Sequence, residues 1–295
     1  MRNLNIFIFT FFIVSSCEVV EGPYQNEINN NGSSETILQK ILIEDFTGHT
    51  CMNCPDAATE LESIKELYPD QVIGIALHVG NTFARPLPPN SSNKYLTDFR
   101  TKWGEEIDNY FEVSSVGLPK GMINRKDEEP KSKDDWGNVV SEIINNSALF
   151  DIDISASPFV FGNCDIEVIV KALENVDGEY NIVIAITEDS IVDWQKNGTY
   201  DDSVYVHNHV LRAIINSTWG ENLKSSNNYT ANEEINLSYN ISISSLEQFN
   251  INHSTNELFM GNGNTGAWDT NKLNIVAYIY NVDNKEIIQV EELHL

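Results

Sequence analysis

The sequence predicts an α/β domain over residues 37–149, followed by an all-β sandwich domain over residues 150–295. Two observations lead to this prediction. Between Ile41 and Val79, an apolar strand, a Cys-x-x-Cys pair, an amphipathic helix and a second apolar strand follow one another, which is the order of a βαβ unit. From Phe150 onward, apolar and polar residues alternate in short runs separated by turn residues, and this pattern indicates antiparallel strands.

The N-terminal segment has the pattern of export and lipid anchoring. A short basic start precedes an apolar run from Leu4 to Val14, which is too short to span a bilayer. The residues just before Cys17 resemble the cleavage box of bacterial lipoproteins. We therefore expect residues 1–16 to be a signal peptide, Cys17 to be the lipidated N-terminus, and residues 17–36 to be a flexible tether. A signal peptide cut elsewhere, or a buried helix, is the alternative.

The Cys-x-x-Cys pair lies where the first helix is predicted to begin. Pro55 favours a first helical turn, and the negative charge of Asp56 suits the positive end of the helix. The unpaired N–H groups there favour a thiolate, so we expect Cys51 to be the attacking sulfur and Cys54 the resolving one. The alternatives are an inert structural disulfide, a relic on an inherited fold, or a zinc half-site. Zinc usually takes four ligands, and the sequence has no second Cys-x-x-Cys.

This stretch resembles the active site of the thioredoxin superfamily. Asp45, six residues before Cys51, matches the buried acid of thioredoxins, and the loop around Pro119 resembles their cis-proline loop. An ordinary trans proline in a turn is the alternative for Pro119. The resemblance implies a thioredoxin-like fold for the first domain and catalytic roles for Asp45, Cys51, Cys54 and Pro119.

The resemblance also implies a substrate-binding role for Leu118, Lys120 and His49, which flank the proline or precede the first cysteine. For His49, an ordinary turn residue is the alternative. Three features depart from thioredoxin, and one is the far longer gap from Cys54 to Pro119. Thr50 replaces the tryptophan before the first cysteine, and Met-Asn replaces Gly-Pro between the cysteines.

Between the second strand and the proline loop the sequence predicts an insertion, about residues 80–115. It consists of a proline-rich loop and an amphipathic helix over residues 93–112, which large apolar residues at near four-residue spacing indicate. The insertion forms either a lid near the dithiol or a helix packed on the sheet.

The charge of the chain limits its partners. The 295 residues include 18 Lys and Arg against 44 Asp and Glu, which gives a formal charge of −26. Such a surface repels nucleic acid and anionic headgroups, so we expect no nucleic-acid partner. Between Ile41 and Glu62 there are several carboxylates and no Lys or Arg. They oppose the helix dipole, which stabilises an anion by only about 0.3–1 kcal/mol. We therefore expect a thioredoxin-like pair rather than a strongly oxidising one.

The second half carries the alternating pattern, which predicts an immunoglobulin-like sandwich. Cys164, at the head of one strand, is expected to be a buried core residue rather than a third redox partner. His207 and His209 would share one strand face, a spacing that can bind a metal. Because no third ligand is visible, we predict no metal site and a hydrogen-bonded polar pair. The predicted strands are 150–155, 164–173, 180–187, 204–216, 235–243, 273–280 and 287–292.

Several motifs occur together along the chain. They are the lipoprotein signal, Phe-Thr-Gly-His-x-Cys-x-x-Cys-Pro from Phe46, a Gly-x-Pro loop at Gly117, His-Asn-His-Val-Leu-Arg from His207, and Trp219 followed by glycine. This layout resembles the 28-kDa outer-membrane protein family of Bacteroidetes. The resemblance implies export and a lipid anchor at Cys17 that holds the protein on the periplasmic or the surface face of the outer membrane.

Three functions are compatible with these features. The first is thiol–disulfide exchange on envelope proteins that contain cysteines or disulfides, with no cofactor. The second is a non-enzymatic binding or adhesion lipoprotein that uses the thioredoxin-like fold as a scaffold. The third is a metal carrier that uses His207, His209 and, as a further option, the dithiol. The joint occurrence of Asp45, Cys51, Cys54 and Pro119 favours the first.

Overall fold

The computed structural model describes residues 36–88 and 92–295. The predicted signal peptide, Cys17 and nearly all of the predicted tether lie outside the described residues. Residues 36–295 form one compact unit. None of the helices in the described ranges is long and apolar enough to cross a membrane.

The described residues form a mixed α/β fold that is rich in strands. Its helices are α1 (Cys54–Leu67), α2 (Lys102–Phe111), α3 (Lys133–Ile143) and α4 (Ile243–Asn256). Its strands are β1 (Ile41–Thr47), β2 (Val72–His78), β3 (Lys120–Ile123), β4 (Phe150–Ala156), β5 (Asn163–Ala172), β6 (Val176–Asp177), β7 (Tyr180–Glu188), β8 (Ile191–Asn197), β9 (Tyr200–His207), β10 (Val210–Ile214), β11 (Glu221–Asn222), β12 (Asn228–Tyr229), β13 (Glu234–Ser242), β14 (Leu273–Asn281) and β15 (Ile287–His294).

A large mixed sheet forms the centre of the fold, with the strand order β15-β14-β7-β10-β2-β1-β3 and β11 beside β7. β1 and β2 are parallel and α1 connects them, so the predicted βαβ unit is present. Every residue of both strands is buried. Ile41 and Ile43 pack with apolar residues of α1 and α3, whereas Leu42 and Phe46 pack with those of α2 on the other face. Coverage of both faces is typical of parallel strands.

The central sheet continues across the boundary that the sequence predicts between residues 149 and 150. β10 joins β2 in parallel at Val210 and Ala76, and β7, β14 and β15 extend the sheet further. Only part of the second half, β4, β5 and β13, forms a separate three-stranded sheet. An immunoglobulin-like sandwich built from residues 150–295 alone is therefore not confirmed. The physical reason is that alternation shows that one face of a strand is buried, but not which sheet or helix buries it.

The insertion is helical over a shorter range than the predicted 93–112. α2 begins at Lys102 because Thr101 caps it, with Thr101 Oγ1 accepting a hydrogen bond from the N–H of Gly104 at 3.1 Å. Tyr95 and Phe99 precede the helix in irregular backbone, yet both rings are buried. The irregular part of the insertion therefore contributes to the core, and its rings lie close to the loop that carries the cysteines.

Candidate functional site

Cys51 and Cys54 form a disulfide at the N-terminus of α1, where the sequence predicts the two sulfurs to meet. The residue before the helix, Asn53, makes no side-chain cap, so it leaves the first N–H groups of α1 without that partner. Both cysteines are only 2% exposed. Met52, between them, is 49% exposed. The pair therefore lies just beneath the surface, with the two intervening residues, Met52 and Asn53, at the surface.

The proline loop leads into the strand next to β1. The Leu118–Pro119 peptide bond is cis, as the sequence predicts. β3 begins directly after it and pairs antiparallel with β1, so that Lys120 lies opposite Phe46. The ammonium of Lys120 donates a hydrogen bond to Ser132 Oγ at 3.1 Å. The substrate-binding roles of Leu118 and Lys120 stay predictions.

Asp45 is a buried acid in the middle of the central sheet, flanked by Ala76 of β2 and Gly121 of β3. Its side chain is 2% exposed, and Oδ1 has no hydrogen-bond partner among the described residues. Burial raises the pKa of Asp45 from 3.8 to about 7, and the charge of His209 opposes that rise. Asp45 therefore changes its protonation state near neutral pH.

A cavity of about 300 Å³ connects this acid with the disulfide region. It lies between α1, the ends of β1 and β2, and β9. Asp45 and Cys54 both line it, together with His78, Tyr205 and His207. The fold thus brings one cysteine, the titratable carboxyl group of Asp45 and the imidazoles of three histidines, His209 being the third, to the walls of one small space.

A hairpin from the second half, β8 and β9, covers the loop that carries the disulfide. The Nε2 of Gln195 donates to the carbonyl oxygen of Cys51 at 3.0 Å, and the N–H of Lys196 donates to the carbonyl oxygen of His49 at 2.7 Å. Gln195 is 2% exposed. Sequence reasoning missed this contact, because 144 residues separate Gln195 from Cys51 and no motif marks it.

His49 lies inside the protein, beside the cysteine loop. Its ring is 1% exposed, its Nε2 lies 3.0 Å from the carbonyl oxygen of Arg85, and burial lowers its pKa. Tyr95 and Phe99 pack against it, with ring centroids 5.5 and 6.3 Å away. Burial therefore disfavours a charged imidazole at His49, which forms part of the wall behind the disulfide. Its role in substrate binding stays a prediction.

The prediction that His207 and His209 share one strand face is wrong. β9 ends at His207 and β10 begins at Val210, and His209 lies between them with a φ of +56°. This left-handed conformation interrupts the strand. The ring of His207 packs on His78 and Phe99, with centroids 5.6 and 5.2 Å away, and burial lowers its pKa to about 4.

His209 is instead held by carboxylates. Its Nε2 lies 3.0 Å from Glu62 and its Nδ1 lies 3.1 Å from Asp189. Burial and the charge of Lys65 oppose a charged imidazole, but the two carboxylates outweigh them and raise the pKa of His209 to about 9. A protonated imidazole has no lone pair for a metal. Among residues 36–88 and 92–295, no group of three or more His, Cys, Asp or Glu side chains is arranged to hold a metal ion.

Comparison with protein families identifies the family of this chain. The model of the outer membrane protein Omp28 matches residues 105–295, more than half of the chain. The chain belongs to the Omp28 family. It is accordingly an outer-membrane protein of the cell envelope. The Omp28 match begins after Cys51 and Cys54, so family membership by itself says nothing about the chemistry of these two cysteines.

Solved structures of other proteins also resemble this Omp28 chain. HBP35 of Porphyromonas gingivalis matches with a TM-score of 0.62 at 12% identity, covering 89% of this chain and 77% of that one. This likeness indicates a shared fold. A protein of Agrobacterium tumefaciens matches with a TM-score of 0.43 at 12% identity, over 88% and 96% of the two chains. A domain of the outer membrane lipoprotein Omp28 from P. gingivalis matches with a TM-score of 0.31 at 19% identity, over 50% and 88%. No curated protein matches the sequence.

Proposed function

We propose that this envelope protein carries out thiol–disulfide exchange on other envelope proteins through Cys51 and Cys54, on a thioredoxin-like arrangement of β1, α1, β2 and β3. The observation that carries the proposal is the shared cavity of Cys54 and Asp45. A carboxyl group whose pKa is about 7 can accept or return a proton at neutral pH. A disulfide that serves only as a structural link needs no such group.

The chemistry follows from these positions. In the reduced pair, the thiolate of Cys51 attacks a client disulfide, and the client's other sulfur leaves as a thiolate. Cys54 then gives its proton to Asp45 and attacks the mixed disulfide. The Cys51–Cys54 bond closes, and the second client sulfur is released and takes up a proton. Two electrons pass from the pair to the client, and the reverse sequence oxidises a client dithiol.

We also propose that Cys17 carries the lipid anchor, so that exchange takes place at the outer membrane. The family places the chain there, and acyl chains hold a protein to a bilayer without a spanning helix. Clients are then envelope proteins that contain cysteines or disulfides.

The Cys54→Ser variant tests the exchange proposal. It removes the resolving sulfur, so mixed disulfides between Cys51 and clients are expected to accumulate. The measurement is isolation of the full-length variant from cells under thiol-blocking conditions, followed by gels with and without reductant. The purified native chain is also expected to reduce insulin. The rate of insulin reduction by the Cys51→Ser/Cys54→Ser variant is expected to fall to the uncatalysed rate.

Cys164→Ser is the matched control, because Cys164 is buried in β5 at 1% exposure and is the remaining free cysteine of the described residues. Cys164→Ser is expected to change neither the trapping of mixed disulfides nor the rate of insulin reduction. The proposal fails if Cys54→Ser traps no partner and the double serine variant reduces insulin as fast as the native chain.

A second function has one observation in its favour. Both cysteines are only 2% exposed beneath the β8–β9 hairpin, whereas Val192 and Val204 of that hairpin are 60% and 71% exposed. These values fit an adhesion or binding lipoprotein that uses the disulfide to fix its loop and the hairpin surface to meet a partner. In that case the double serine variant retains partner binding, and polar substitutions at Val192 and Val204 abolish it.

A further inference from the structure

We infer that a low-molecular-weight thiol, of the class of free cysteine, exchanges with the pair at Cys54 from the cavity, by a route separate from the one that protein clients take to Cys51. The inference rests on the proposed function in one respect, that the pair is reversibly reducible. It adds a second substrate class and a second point of attack.

The first argument is the position of the cavity. Cys54 forms part of its wall and Cys51 does not. The volume of about 300 Å³ has room for an amino-acid thiol but not for a folded client. Thr59 and Glu62 of α1 and Tyr205 of β9 also line the cavity. Thr59 is exposed, so solvent reaches this part of the wall.

The second argument is the set of unsatisfied polar atoms in the same walls. Asp45 Oδ1, His78 Nδ1 and His207 Nε2 have no hydrogen-bond partner among the described residues, and all three side chains are at least nine-tenths buried. Buried polar atoms without partners are uncommon in proteins and each requires an explanation, of which a bound polar group is one. The ammonium and carboxylate of free cysteine offer both donors and acceptors to such atoms.

The third argument is the direction of displacement. In thiol–disulfide exchange the attacking thiolate approaches one sulfur and the other sulfur leaves. A thiol in this cavity meets Cys54, so Cys51 is the leaving sulfur. The thiol gives its proton to Asp45 and forms a mixed disulfide with Cys54, and Cys51 leaves as the thiolate. A second free thiol gives its proton to the Cys51 thiolate and attacks the small-molecule sulfur. The sulfur of Cys54 leaves as a thiolate and takes the proton from Asp45, which yields a small disulfide and the reduced pair. Two thiols are oxidised for each pair reduced.

The full-length Cys51→Ser variant tests the inference, because it leaves Cys54 without its partner. It is treated with cystine in one sample and with insulin in another, and peptide mass spectrometry locates the adducts. Cys54 is expected to form a mixed disulfide with cystine at least about tenfold faster than with insulin. In the Cys54→Ser variant, the adduct with insulin is expected on Cys51.

A matched pair of substitutions tests the role of the cavity. Thr59 and Ser63 lie one turn apart on α1, both are exposed, and each hydroxyl donates to the carbonyl four residues earlier at 2.9 Å. Thr59 lines the cavity and Ser63 does not. Thr59→Trp is expected to slow the cystine adduct on Cys54 at least about tenfold, and Ser63→Trp to leave it unchanged. With the native pair, Thr59→Trp is also expected to slow reduction by free cysteine.

Two results would overturn the inference. One is that cystine gives no adduct on Cys54 in the Cys51→Ser variant, while Cys51 reacts in the Cys54→Ser variant. The other is that Thr59→Trp and Ser63→Trp behave alike in both measurements. Failure of the proposed client exchange alone would give a different set of results from these two. In that case Cys54→Ser traps no protein, while the cystine adduct on Cys54 still forms and still depends on Thr59.

Discussion

Arg125→Met is expected to lower the free energy of unfolding by about 3–5 kcal/mol, because it leaves the carboxylate of Glu44 buried without its partner. Glu44 is 1% exposed and Arg125 is 0% exposed. The guanidinium donates twice to this carboxylate, from Nε at 2.8 Å and from Nη2 at 2.6 Å. Removing one member of a buried pair costs far more than removing both.

The surroundings of Arg125 add to this expectation. Nη2 also donates to the hydroxyl of Tyr278 at 3.1 Å. The guanidinium carbon lies 5.4 Å from the ring centroid of Phe111 and 5.8 Å from that of Trp219, distances at which a cation is attracted to an aromatic face. Glu44 lies in β1 and Tyr278 in β14. The Arg125–Tyr278 hydrogen bond thus connects the first and second halves of the chain.

The measurement is urea unfolding at neutral pH, with Lys126→Met as the control. Lys126 is the next residue, and its bond to Glu142 is on the surface, with side chains 32% and 62% exposed. Exposed pairs contribute about 0–1 kcal/mol, so Lys126→Met is expected to change stability by less than 1 kcal/mol. The double change Arg125→Met/Glu44→Leu is expected to recover much of the loss. Equal losses for Arg125→Met and Lys126→Met would contradict the account.

Asp45→Asn is expected to stabilise the protein increasingly as the pH rises. Burial raises the pKa of Asp45 from 3.8 to about 7, so between these values the folded state binds more protons than the unfolded state. Stability therefore falls as the pH rises through this window. A shift of about three pKa units corresponds to about 4 kcal/mol. Asparagine does not titrate, so the variant lacks this loss.

The measurement compares the free energy of unfolding of the two proteins at pH 4 and pH 8. The advantage of Asp45→Asn over the native chain is expected to grow by about 4 kcal/mol between these pH values. Asp56→Asn is the control, because Asp56 is exposed in the first turn of α1. Its effect is expected to stay within about 1 kcal/mol. An advantage of Asp45→Asn that does not change with pH would show that the carboxyl group does not titrate in this range.

Short-range signals made part of the site predictable. Pro55 and Asp56 mark the start of a helix, and this start fixes where Cys51 and Cys54 lie. The apolar run of β1 predicts a buried strand, and Asp45 interrupts it. In each case the information lies within a few residues of the feature that it predicts.

The long-range contacts that cover the site could not be predicted from such short-range signals. Gln195 lies on a hairpin whose approach to Cys51 depends on how distant strands pair. In the sequence, His78 is only the polar end of an apolar strand. In the structure, the ring of His207 packs against it, with centroids 5.6 Å apart. The contact of Val210 with Ala76 decides that the second half continues the central sheet. Alternation within each strand is the same whichever sheet the strand joins.

A redox titration of Cys51 and Cys54 tests the central claim most directly. The native chain is equilibrated in glutathione buffers of graded potential, free thiols are blocked, and the oxidised fraction is measured by mass spectrometry. The start of α1 favours a thiolate while the nearby carboxylates oppose it. We therefore expect a reversible two-electron transition between about −180 and −270 mV, the range of exchange proteins. A pair that stays oxidised to below about −300 mV, as structural disulfides do, would contradict the proposed exchange.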